Sequence, residues 1–574
     1  MRSSFLFIVL PFILLTLLTD NSRRNPSYST SVSPSDVLGC APVFDGSESL
    51  SDGRFMIPLP GWGTHHYAIT TKKDSAQFYF DQGLNMYYSY HWREANASFK
   101  EAARFDPDCA MAYWGQALAR GPAYNFAHGY VMPKDIPGII EKMNSLRNGA
   151  SDKEKGLIDA MTARYSADIT DKDRKKLNAA YSKSMQELVR KYAGDPDITA
   201  MYVDAVMLEH PWNFWNNDGT AKAWTPELVS LCEKIFEMDA AHPGALHYYI
   251  HVTEASRNPG RAVRSADILK DQLPGVAHMV HMSSHVYERN GSYAKGVEVN
   301  EKADQDLVHY DSLLSDITTL SLSRHVPHYF AVQTYCAISG AMYTKGMPLA
   351  FRLRKSVSPS YENTYQQHLY MMPVMAWVRM GKWEQIINDR ELPNEGWTYA
   401  SLLHHFAKGL AYVNTNQLVT AKKHLAELQE KSKDKILKKI DTPFNSPSQG
   451  AFIAENILSA SILFHEKKYT DAIELMNKAI RMEDSLIYIE PKDWMIPARQ
   501  FLGAHLMKLK RYTEAEDIYR RDLEWNPGNG WSLLGLCQSL EAQGKIKEAD
   551  SYRADYLKSF SAADEIPPGS VYLK

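Results

Sequence analysis

No two of the five cysteines, Cys40, Cys109, Cys232, Cys336 and Cys537, form a C-x-x-C pair, and their number is odd. That excludes a thiolate zinc knuckle and a dense disulfide framework, leaving room for one or two bridges at most. Basic runs are missing as well, since 64 Lys and Arg stand against 67 Asp and Glu for a formal net charge of −3. The electrostatic footprint of a nucleic-acid binder is therefore absent, and no nucleic-acid partner is expected. Apart from Phe5 to Leu18 there is no long apolar run, so no transmembrane bundle is expected either.

That one apolar run follows Met1 and Arg2 and has the charged start and short core of a secretory signal, too short to span comfortably. We expect export to the periplasm or the outside of the cell. Residues 1–19 read as a signal peptide or an N-terminal anchor, because Thr19, Asp20 and Asn21 offer no clean small-residue cleavage site. VLGC at 37–40 looks like a lipoprotein cleavage box, but polar, Ser-rich chain separates it from the apolar core and the match is accidental. Residues 20–36 form a Ser/Pro-rich linker and 37–75 an irregular N-terminal cap segment.

What the chain does have is material for buried helical faces: 44% hydrophobic residues, with 33 Tyr, 12 Trp and 23 Met among 574. A length of this order would make several ordinary domains unless a repetitive architecture lets one body keep growing. Small and large residues recur at the intervals that let antiparallel helices pack, as in Gly83, Ala95, Phe99, Ala102 and Pro107, then Ala110, Tyr113 and Ala117. Gly409, Tyr412 and Ala421 keep that register, as do Gly503, Ala515 and Pro527. Thr225, Pro226 and Glu227 mark a helix start, with a capping oxygen, a fixed φ and an acidic first turn. The expected fold is all-α, a tetratricopeptide-type α-solenoid over residues 76–560 with a tail at 561–574.

Within it, the pattern H-x-x-x-H-x-x-E occurs twice, as His247, His251 and Glu254 and as His281, His285 and Glu288, 34 residues apart. Spacings of four and seven place each triad on one helix face. The offset equals the length of a tetratricopeptide repeat, so stacking would set the triads side by side. Imidazoles one turn apart can grip a cation, and a carboxylate one turn further supplies a charged oxygen. We expect a divalent transition metal, with zinc, iron, manganese and copper not distinguished, and six ligands sharing one ion. Glu254 and Glu288 are also the candidate general bases. His278, His325 and His328 lie where they could join. Two other readings stay open: a polar groove for a peptide or protein partner, and histidines that merely satisfy neighbouring helices.

The aromatic insertion His210, Pro211, Trp212, Phe214 and Trp215, with Asn216 to Gly219 after it, interrupts a repeat and is expected mainly to pack, with cover of the groove as the second use. His65 and His66 are adjacent, point differently along any regular backbone, and read as a chance pair. The segments DPDCAMAYWG, HPWNFW, HYYIHVTE and HMSSHVYERNGSY resemble tetratricopeptide repeat proteins and, within them, an exported bacterial group. The resemblance implies that first helices line a concave surface and that both triads look into it. The chain departs from that group at Tyr88, where a histidine is frequent, which argues against a ligand in the first repeat.

Overall fold

The computed structural model describes residues 52–125, 130–168, 170–171, 173–315, 326–439 and 445–573. The signal, the linker, Cys40 and His325 lie outside them. Among the described residues every regular element is a helix, apart from one isolated antiparallel bridge between Trp215 and Ala221. The expected all-α solenoid is thus the observed fold. Helical hairpins follow one another, with Asp74–Tyr88 against Trp92–Phe105, Pro243–Thr253 against Val263–Gln272, and Ala277–Arg289 against Tyr293–Ser315. The first helices of neighbouring hairpins also touch each other, and this contact brings the two triads together.

The repeat signature has a steric basis. Phe99 sits against Gly83 and Gly115, where an added Cβ would lie 2.7 and 2.3 Å from its ring. Two first helices can therefore close over one buried phenyl, and an alanine at either place would force them apart. Thr225 is not the cap its sequence context implies. Trp224 precedes the helix Thr225–Met238, and the Thr225 hydroxyl donates instead to the Phe214 carbonyl of the aromatic insertion.

The chain closes on itself. Arg289 donates to the Trp525 carbonyl (3.1 Å), Asn217 to the Ser485 carbonyl (2.7 Å), and the Trp531 indole to the Ser339 carbonyl (2.8 Å). Residues 52–73 run without helix against several repeats: Leu59 N–H donates to Gln82 (2.9 Å), Gly275 N–H to the Gly61 carbonyl (2.8 Å), and Thr70 N–H to Glu154 (2.6 Å). Near the other end, Ser570 accepts from or donates to Tyr519 (2.7 Å) and is buried. The four described cysteines, Cys109, Cys232, Cys336 and Cys537, are buried free thiols. No helix among the described residues is long and apolar enough to cross a membrane.

Candidate metal centre

The helix Pro243–Thr253 begins with His242, whose Nδ1 accepts the Ala245 N–H (3.2 Å) while Pro243 fills the first position without needing an acceptor. Gly244 follows, and a Cβ there would meet the Tyr88 ring at 2.6 Å. Its absence lets this helix approach the C-terminal end of Asp74–Tyr88, where a carbonyl has no partner within its own helix. His247 Nδ1 takes that carbonyl, Tyr88 O, at 2.6 Å. A carbonyl only accepts, so Nδ1 carries the hydrogen and Nε2 presents a lone pair.

His251 is held the same way, with Nδ1 3.0 Å from Glu254 Oε1. Its Nε2 faces His247 Nε2 at 3.1 Å, and His278 Nε2 lies 3.2 Å from the same atom. These three buried imidazoles form one cluster of ligand atoms within 4.8 Å of one another. A second cluster stands on the next hairpin. His281 Nδ1 meets Asn300 Oδ1 at 2.6 Å, and the Asn300 NH₂ donates to the Gly296 carbonyl (2.8 Å), so the amide oxygen must face the ring. His281 Nε2 and His285 Nε2 are 3.0 Å apart, and His328 completes the set.

Carboxylates lie between the clusters. Besides His251, Glu254 reaches to 4.0 Å from His285 Nδ1 through its second oxygen. Glu490 Oε2 is 3.2 Å from His285 Nε2 and 3.8 Å from His328 Nε2. Glu490 comes from the segment between Tyr469–Asp484 and Ala498–Lys508, and with His251 and Glu254 it forms a further cluster of possible ligands. Burial pushes the Glu254 carboxyl up to about 8, and burial together with Glu254 drives Glu490 well above the usual carboxylate range.

The lone pairs of His247 and His251 face each other and repel unless a cation stands between them. A proton is a poor occupant here. Burial, then His251, holds His247 well below its ordinary value; burial alone takes His251 to about 3 and, with a lesser push from His251, His328 to about 4. Burial, then His281, holds His285 well below its ordinary value. Aromatic rings make the enclosure apolar. Tyr90, in a left-handed turn at φ 59°, lies 4.4 Å from the His247 ring and stacks on His251 and His278 at 5.7 Å each. Tyr124 and Trp212 flank His251 at 5.2 and 5.9 Å, and the Trp215 indole donates to the Val252 carbonyl (2.7 Å). The insertion therefore both packs and covers the centre.

Three expectations need correction. Instead of one ion among six ligands there are two three-histidine clusters, because each histidine pair is completed by a ring from another helix or turn, His278 or His328. Glu288 is in none of the ligand clusters among the described residues; it is buried where Arg289 and Lys492 act on it, while Glu490 takes the place beside His285. The histidines do not look into an open groove: His247 and His281 are 0% exposed, so a peptide lying on a concave surface does not reach them. Glu490, Asn300 and the Tyr88 carbonyl went unread, since none lies near a triad in sequence. Nor is His65 merely a chance neighbour of His66. Its Nε2 is 2.8 Å from Asp197 Oδ1, which also accepts from Tyr88 Oη (2.8 Å) and lies 3.3 Å from His242 Nε2.

No protein-family model and no curated protein sequence matches this chain. Among solved structures, a human IFIT1 dimer with PPP-AAAA shares 13% identity over 86% of this chain and 92% of that one, with a TM-score of 0.29. The Cut9–Hcn1 hetero-tetramer of the APC/C shares 11% over 87% and 76%, TM-score 0.27, and Naa15/Naa10 bound to HypK-THB shares 11% over 71% and 64%, TM-score 0.28. Superpositions this loose add nothing to the helical repeat already described, and the expectation against a nucleic-acid partner gains no support from them.

Proposed function

We propose that this chain is an exported, metal-binding helical-repeat protein whose two three-histidine clusters each hold one divalent transition metal ion and together form an enzyme centre. The supporting observation is the hydrogen-bonding of the far ring nitrogens. Tyr88 O, Glu254 and Asn300 each fix an Nδ1–H, which aims the Nε2 lone pairs of His247, His251 and His281 inward. Metal-ligating histidines are typically oriented in this way, by a carbonyl or carboxylate on the other nitrogen. Nitrogen ligands with one or two carboxylates suit zinc, iron, manganese and copper alike.

Three protein ligands leave a position free, the arrangement of catalytic rather than structural sites. Ions so held supply Lewis acidity and activation of water or oxygen. Glu254 and Glu490 stand between the clusters, and their crowding favours a single shared proton at these carboxyl oxygens whenever no cation offsets both charges. The first apolar run, Phe5 to Leu18, carries the proposal of export.

Elemental analysis of protein purified without an affinity tag tests the centre. One metal equivalent per cluster is expected, with His247→Ala and His281→Ala each losing its own. Substoichiometric metal that neither substitution changes would sink the proposal.

A further inference from the structure

A cavity of about 110 Å³ opens beside the centre, against the ~10–15 Å³ one water needs. Its walls come from three separate parts of the chain: Trp215 from the aromatic insertion, Arg257 and Arg289 from the two triad hairpins, and Tyr488, Lys492 and Trp525 from the C-terminal repeats. Most of these side chains are partly exposed, so the cavity is reached from solvent. Its wall is also the outer wall of the metal centre. Tyr488 and Lys492 flank Glu490 in the chain, and Arg289 Nε donates to the Glu254 carbonyl at 2.9 Å.

The cations on this wall make no close ion pair, although Glu288, buried off the lining, acts on Arg289 and Lys492. None of Arg257, Arg289 and Lys492 has a carboxylate within 4.0 Å among the described residues. Arg289 spends its donors on the carbonyls of Glu254, Trp525 and Ser256. Arg257 donates to the carbonyls of Asn217 and Glu524, and Lys492 to the Asn526 side chain. Each hydrogen bond satisfies an N–H without neutralising the charge. Two carboxyls share the lining, Glu483 and Asp493; burial pushes them up to about 7 and about 6 and Lys492 down to about 8, so the charges on both sides are weakened and the two guanidiniums remain. Trp494, also on the lining, is 3% exposed, and its Nε1–H is buried without an acceptor among the described residues. The remaining walls are aromatic: Trp525 is stacked by Arg257 at 3.6 Å and Arg499 at 4.6 Å and Tyr488 by Arg289 at 5.3 Å, which holds the guanidiniums in place beside the Trp215 ring.

We propose that this cavity binds a small organic carboxylate with a flat apolar body and presents it to the adjacent centre as substrate. The anion answers the cations that make no ion pair and the unused indole donor, and the flat body answers the Trp215 ring. As a substrate assignment this rests on the metal-centre proposal; as a binding site it stands on the cavity alone.

The test is tryptophan fluorescence titration of the metal-loaded full chain with benzoate, its neutral isostere benzamide, and inorganic phosphate. Benzoate should quench saturably, with benzamide and phosphate each binding at least about ten-fold more weakly, a difference of ~1.4 kcal/mol. Arg257→Gln and Lys492→Met should each weaken benzoate about ten-fold with metal content unchanged. Arg257 is partly exposed, which keeps that variant informative if the lysine variant fails to fold. Equal binding of benzamide overturns the anion, equal binding of phosphate overturns the organic body, and indifference to Arg257→Gln overturns the site. Metal-depleted protein should bind benzoate more weakly; unchanged affinity there breaks the link to the centre, whereas missing metal in the native protein breaks the centre itself.

Discussion

One helix carries two buried histidine sets that share residue types and differ in where their hydrogens lie. His242, at the start of Pro243–Thr253, accepts a backbone N–H on Nδ1, so its hydrogen is on Nε2, 3.3 Å from Asp197. His65 meets the same carboxylate, and Asp197 is depressed well below the carboxylate range, with burial working against the hydrogen bonds from His242 and His65 and losing to them. His65 Nε2 and the Tyr88 hydroxyl hydrogen-bond Asp197, and the His242 Nε2–H approaches the same carboxylate without completing a hydrogen bond. One turn further along, His247 and His251 have the opposite tautomer, and their lone pairs face each other. The first set carries its own negative charge in Asp197; the second has none between its facing lone pairs and calls for a cation. Residue type and burial alone do not make a metal site: the partner of the outer nitrogen does.

The largest effect expected from disturbing this contrast is at Asp197. Asp197→Ala strands His65, His242 and the Tyr88 hydroxyl in a buried site and should cost ~3–5 kcal/mol of stability by denaturant titration, as for other broken buried pairs. Metal content should survive, and its loss would mean that the two sets are not independent. Next comes the centre. Asn300→Ala removes the acceptor that orients His281, together with a donor to the Gly296 carbonyl, and should weaken metal binding ~10–100-fold, read by chelator competition. A smaller but more diagnostic effect is Gly244→Ala, whose methyl would press on Tyr88 and displace the carbonyl that fixes His247. One cluster should weaken while the His281 cluster keeps its ion.

The finest contrast is in pH. In metal-free protein His251 and His328 have folded pKa values of about 3 and about 4. The unfolded chain takes up those protons near its ordinary ~6.5, so stability should fall as pH drops from there towards the folded values. His65 has the reverse sign: burial opposes its charge, but Asp197 outweighs burial and raises it, so its contribution is present below ~6.5 and fades as pH rises through the folded value. His65→Asn should abolish the alkaline loss and leave the acid loss in place. For the same reason, the metal should be retained to lower pH than exposed histidines would allow, since these rings resist protonation.

Much of the fold was legible. The recurrence of Gly83, Phe99 and Ala102, and of later copies, follows from helices that must pack closely at fixed intervals, and local periodicity records that requirement. Half of the centre was legible for the same reason, because His247 with His251 and His281 with His285 are each one turn apart. Glu490 was not. It lies in a non-helical stretch far along the chain, and only closure of the C-terminal repeats over the triads carries it to His285. The repetition of Glu254 as Glu288 misled in turn, since equal spacing along two helices does not guarantee equal neighbours.

By itself, then, the sequence determined the helical hairpins, their length and the pairing of imidazoles on each first helix, all of which depend on interactions within a few turns of chain. Tertiary structure decided which rings complete each pair, which carboxylates stand between them, and which nitrogen of each ring carries its hydrogen. Those are set by partners such as Tyr88 O, Asn300 and Glu490, brought in from other helices and loops, and no local spacing encodes a contact made only when the solenoid closes.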